Sequence, residues 1–250
     1  RQIEVHFEGS AQALALAWVR PFAVGCNSIT GALGLGFDAE LCRNTCAASR
    51  PSVYANSASA RPLAEHGMRL SMLLAAPDAS AARRLIDRGV AADRSLGLRG
   101  SPPVNAYFLR TEDAARNVRA QLFPPDGLLR AAGVAVHVEP VSALEDKQRV
   151  VLVQTGVARL PSLQGIAWVD GALADHLTSF GGQLGGTSGQ STAMDWIASG
   201  ATASHGTVSE PCNHLQKFPH PQWLLLHYLQ GSTAIEAYWK SVLWPQQSLF

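Results

Sequence analysis

The chain is short of charge. Only 16% of its 250 residues are Asp, Glu, Lys or Arg, and the formal net charge is +1. A protein that binds nucleic acid as its main partner needs a cationic surplus, so that class is excluded as the primary reading. Lysine is nearly absent, 3 against 17 arginines. The arginines form no cluster; Arg83, Arg84 and Arg88 share a helix with Asp87 and read as a solvated face. No apolar run approaches the ~18 residues of a membrane span; the longest lie at 11–19 and 223–226. There is no C-x-x-C and no His between Cys26 and Cys46, so zinc-ligand spacing is lacking. The G-x-S-x-G elbow, G-x-G-x-x-G and G-x-x-x-x-G-K are also lacking, although residues 31–36 are glycine-rich. No cofactor or metal site is expected.

What is present is 47% hydrophobic residues and length enough for a full core, which excludes disorder. The four cysteines are Cys26, Cys42, Cys46 and Cys212. An even count permits disulfides in an exported protein, and the expectation is a bond among Cys26, Cys42 and Cys46. The opening Arg1-Gln2-Ile3-Glu4 reads as the start of a strand, of the kind a processed export signal leaves.

Apolar periodicity predicts strands at 11–19, 68–75, 104–109, 134–138, 150–153, 167–170 and 201–204. It predicts helices at 28–37 capped by Ser28 and at 79–91 capped by Asp78, the latter burying Leu85, Ile86 and Val90. Further helices are expected at 112–122 after Thr111, at 128–132, 191–199, 223–228 and 233–243. Residues 43–62, rich in Ser, Ala, Asn and Pro, read as a long surface loop. The alternation of strands and helices predicts one α/β domain over residues 1–250, with a mostly parallel sheet covered on both faces as a three-layer sandwich.

In such sheets ligand sites gather beyond the carboxyl ends of the strands. Three polar segments are expected there: Gln154-Thr155-Gly156, Asp175 to Ser179, and Ser204 to His214. The sharp reading is a cysteine nucleophile, Cys212. A thiol needs a nearby base to ionise; His176 or His205 would supply it, Asp175 or Glu210 would orient the ring, and the Gly181-Gly182 amides would line an oxyanion site. The plainer reading makes Cys212 a buried thiol or half of a disulfide, and His176 and His205 hydrogen-bonded anchors.

The segments GALADHLTSFGG, DWIASGATASHGTVSEPCNHLQKFPHP and GSTAIEAYWKSVLWPQQ resemble an uncharacterised family of exported bacterial proteins. Upstream, LALAWVRPFAV, SITGALGLGFDAELC and AYFLRTEDAARNVR agree with it. At greater distance the layout looks like the caspase and gingipain fold, in which a His-Gly follows one strand and a Cys the next. The resemblance implies that sandwich and a periplasmic or extracellular location. The carry-over is incomplete, because Gln154-Thr155-Gly156 stands where the His-Gly is expected, and Asp175-His176 with no Cys stands near the nucleophile position. Two functions follow as expectations: a binding or structural subunit of a cell-surface or extracellular assembly, with a protein partner or self-association; or a secreted cysteine-dependent hydrolase using Cys212 with His176 or His205.

Overall fold

A computed structural model describes residues 23–42, 44–95, 102–186 and 188–250. The strand expected at 11–19 lies outside them. The centre is a five-stranded sheet of β3 (Val104–Leu109), β4 (Gly127–Leu129), β5 (Val134–Glu139), β6 (Val150–Gly156) and β7 (Trp168–Leu177). Its order is β4-β5-β3-β6-β7. The four longer strands are mutually parallel, and β4 runs antiparallel along β5. Parallel strands are buried on both faces, and every residue of β6 is buried.

One face carries Phe108, Val136, Leu152 and Leu173 against helices α5 (Pro221–Leu229) and α6 (Ala234–Ser241), through Leu224, Leu225, Tyr238 and Trp239. The other carries Tyr107, Val153 and Ala174 against Trp196 of α4 (Ala193–Ser199), with Leu144, Leu160 and Ile166 from the crossovers. The expected α/β architecture with a mostly parallel sheet between two covering layers is therefore present. The remaining elements are α1 (Ile29–Leu35), α2 (Pro62–His66), α3 (Ala79–Ala91) and two small pairings, β1 (Ala23–Val24) with β2 (Asn27–Ser28) and β8 (Gly206–Thr207) with β9 (Ser248–Leu249).

Local signals place several elements well. Ser28 Oγ accepts from Gly31 N (2.7 Å) and starts α1; Asp78 Oδ1 accepts from Ala81 N (2.8 Å) and starts α3. Other expectations are corrected. On α3 only Leu85 is buried; Ile86 is 48% and Val90 70% exposed. Residues 68–75 form no strand, because Leu73 N donates to Phe250 O (2.7 Å) and Trp239 Nε1 donates to Ser71 O (2.9 Å) in place of a ladder. Thr111 does not cap a helix; its hydroxyl donates to Gly156 O (2.6 Å), and a 3-10 turn forms only at Asn117–Leu122. The helix expected at 128–132 is β4 and a turn, since so short a segment gains more by pairing with β5 than by nucleating a helix. Residues 201–204 keep a single bridge, Ala203 to Leu173. The largest change is in β7, which runs on through the supposed loop to Leu177.

Candidate functional site

Because β7 continues, Asp175 and His176 are strand residues, and successive side chains point to opposite faces. Asp175 faces the α5–α6 layer and His176 the α4 layer. They cannot act on one substrate together.

Asp175 is wholly buried. Its carboxylate accepts from Arg119 Nη1 and, at 2.8 Å, from Gln154 Nε2 on neighbouring β6. Arg119 is itself 2% exposed and also donates to Thr155 O (2.9 Å) and Pro219 O (3.3 Å). Burial pushes the Asp175 carboxyl above its usual range, while Arg119 and Gln154 pull it down. Arg119, which sequence reading passed over, is the hub of this network. Its signal was a lone cation in the otherwise mild segment Asn117–Leu122.

His176 is fixed in one tautomer. Trp196 Nε1, a donor only, reaches Nδ1 at 3.0 Å, so the ring proton sits on Nε2 and is donated to Ser191 O at 3.1 Å. Trp196 is placed by the Thr192–Asp195 capping box that begins α4. Burial lowers His176 to about 4, so the ring is neutral.

His205 lies among Phe218, Tyr238 and Phe250. Its Nε2 shares a hydrogen bond with Ser248 Oγ (2.9 Å), and burial holds its pKa well below 6.5. Its Nδ1, together with Arg119 Nε, Gln154 Oε1 and Thr155 Oγ1, is buried without a hydrogen-bond partner.

Cys212 is bonded to Cys46, and Cys26 to Cys42. The expected bond among the first three cysteines is thus Cys26–Cys42, and Cys46 pairs across 166 residues with the cysteine considered as a nucleophile. As a disulfide sulfur, Cys212 has no thiol to deprotonate. No hydrogen bond joins it to His176 or His205, whose ring partners are those above. Its surroundings tie loops together: Cys212 N donates to Glu210 Oε1 (2.8 Å), His214 Nε2 meets Cys46 O (2.7 Å), and Lys217 Nζ donates to Thr45 O. Cys212 and Asn213 both hold positive φ, 55° and 56°. Burial pushes Lys217 down to about 8, with Glu210 opposing.

At the carboxyl rim of the sheet, the end of β6 is closed by backbone. The chain after Thr111 crosses the end of β6 so tightly that a Cβ on Gly156 would lie 2.0 Å from Arg116 O. Arg116 pairs with Asp113 (2.9 Å) and its Nε donates to Thr178 Oγ1 (3.2 Å), which donates in turn to Gln190 Oε1 (2.7 Å). Of the proposed oxyanion donors, the Gly182 N–H is engaged, donating to Thr207 O (2.9 Å), and the backbone of Gly206 packs so closely on Gly181 that a Cβ on Gly206 would lie 2.1 Å from Gly181 C. A small cavity of about 40 Å³ lies elsewhere, lined mainly by apolar groups including Met72, Leu85, Met194, Ile197 and Phe250.

Among the described residues no group of three or more His, Cys, Asp or Glu side chains is placed to hold a metal ion, and no helix is long and apolar enough to cross a membrane. No protein family, curated protein or solved structure matches the chain.

Proposed function

We propose that this is an exported protein built on a caspase/gingipain-like sandwich without the His/Cys dyad, and that it works by binding, as a subunit of a cell-surface or extracellular assembly. One observation carries the reading: Asp175, His176, His205 and Cys212 are each bonded inward, on different faces or loops, and none meets another across an open cleft. The four parallel strands lie in the order second, first, third, fourth. The third, β6, ends in Gln154-Thr155-Gly156, and after the fourth, β7, come Thr178-Ser179. No His stands at the end of β6, and no Cys at the end of β7. Two disulfides favour an oxidising compartment.

The test is hydrolysis of a panel of peptide, ester and amide substrates by the oxidised chain, the mildly reduced chain, and Cys212→Ala. The expected result is no turnover in any form. Turnover that Cys212→Ala abolishes would overturn the binding reading in favour of a reductively released cysteine hydrolase. Fractionation of producing cells tests location: the chain is expected outside the cytoplasm with both disulfides formed, and a reduced cytoplasmic chain would refute export.

A further inference from the structure

Residues 44–48 lie across the loop that carries Cys212, and little holds them there. None of the five is buried. Among the described residues three links tie them to other segments: the Cys46–Cys212 bond, the Cys46 carbonyl against His214 Nε2 (2.7 Å), and the Thr45 carbonyl, which accepts from Lys217 Nζ. Other hydrogen bonds stay within the segment, where Cys46 N donates to Asn44 Oδ1 (2.9 Å) and Ala47 N to Asn44 O (3.2 Å). Both flanks are anchored. Before the segment Cys42 is bonded to Cys26. After it Gln246 Nε2 donates to Arg50 O (2.7 Å), Ser52 N donates to Leu243 O (2.8 Å), and Tyr54 is wholly buried. Residues 44–48 are thus a strap between fixed ends, clipped at its middle by one covalent bond.

Under the strap lies Lys217, only 1% exposed. Among the described residues no carboxylate pairs with its Nζ; Glu210 accepts from Cys212 N instead, and the hydrogen-bond partner of Nζ is the strap's Thr45 carbonyl. We infer that the Cys46–Cys212 bond is a redox latch, and that its opening by a dithiol lets residues 44–48 leave Lys217 and uncovers a modification site, an amine open to acyl and carbonyl electrophiles. Exchange begins where a sulfur can be reached, and Cys46 is exposed whereas Cys212, Cys26 and Cys42 are half-buried. A thiolate of the dithiol attacks the Cys46 sulfur, and the S–S electron pair leaves on Cys212. The second thiol then displaces Cys46, so the reductant ends as its own disulfide and two electrons and two protons pass to the protein. Two hydrogen bonds then remain to hold the strap. They do not offset the conformational entropy of five residues that bury nothing. Local opening of this kind belongs to segments with few buried contacts. The latch goes beyond the binding reading above and does not depend on it.

The chain's lysines are Lys147, Lys217 and Lys240, which makes amine labelling a clean readout. The experiment is brief acetylation of the folded chain with an N-hydroxysuccinimide ester, the sites being read by peptide mass spectrometry. It compares the oxidised chain with Cys46→Ser/Cys212→Ser, which keeps Cys26–Cys42. Lys147, with 28% of its side chain exposed, should react alike in both. Lys240, 5% exposed and seated over the Tyr54 ring, should stay protected in both and reports general loosening. Lys217 should be protected in the oxidised chain and react about tenfold faster or more in the variant. Should the variant fail to fold, dithiothreitol on the native chain opens the bond in place, iodoacetamide identifies the freed cysteines, and the same rise at Lys217 is expected once Cys46 and Cys212 are free. Lys217 equally protected with the bond open, or a rise that Lys240 shares, overturns the inference.

Discussion

Arg119 and Asp175 show what a buried ion pair does to a single position. Removing one partner leaves the other charged and dehydrated, a loss of about 3–5 kcal/mol. Arg119→Met should lose that much in urea unfolding. Thr155 gives the opposite case, because its buried hydroxyl has no partner. Thr155→Val keeps the shape, deletes an unsatisfied group and should raise stability by about 1 kcal/mol, read as an increased midpoint in the same titration. The buried imidazoles set the pH response. His176 has a folded value near 4 against 6.5 for a free ring. The unfolded chain therefore binds more protons below pH 6.5, and stability present above that pH falls as the solution is acidified toward 4, by about 3 kcal/mol for this group. His205 adds to the loss in the same direction. Asp175, shifted upward, acts oppositely: its contribution is present at low pH and lost as pH rises through its folded value. His176→Gln isolates the imidazole part and should flatten the curve between pH 6.5 and 5. At this scale the sequence marked Asp175 and His176 as a notable pair. It did not show that their side chains part company, because that depends on whether the segment is loop or strand.

At the scale of elements, the crossing of residues 111–117 over β6 depends on a missing methyl group. Gly156→Ala would drive a Cβ into the Arg116 carbonyl, backbone against backbone, and the crossing must move. A loss of about 1–3 kcal/mol or more is expected, with faster hydrogen exchange confined to 111–117 as the distinguishing measurement. The elements that were legible in sequence are those with strong local signals. Asp78 and the helical spacing of 79–91 gave α3, and the β-rich run 104–109 gave β3. Those misread depend on distant partners. Gly127–Leu129 is a strand because β5 lies beside it, and residues 171–177, which end in the polar pair Asp175-His176, continue β7 because Arg119 and Trp196 satisfy Asp175 and His176 from either side. Periodicity counts apolar residues and cannot see a polar residue whose partner lies 56 positions away, as Arg119 does from Asp175.

Over the whole molecule, the two disulfides should contribute unequally. In the chain-entropy account a cross-link stabilises by constraining the unfolded state, more for a longer loop. The Cys46–Cys212 bond spans 166 residues and Cys26–Cys42 spans 16. Stabilisation of about 5 and about 3 kcal/mol is expected respectively. Calorimetry of Cys46→Ser/Cys212→Ser beside Cys26→Ser/Cys42→Ser should therefore show the larger drop in Tm for the first pair. The alternation along β7 bears on how the molecule assembles. If β7 zipped onto β6 one residue out of place, the carboxylate would arrive where Trp196 offers a single N–H and the imidazole would arrive against a guanidinium. Both mistakes are penalised at once, on opposite sides of the sheet. Two adjacent polar residues thus act as a proofreading mark, letting the chain reject a slipped strand before the outer layers close over it.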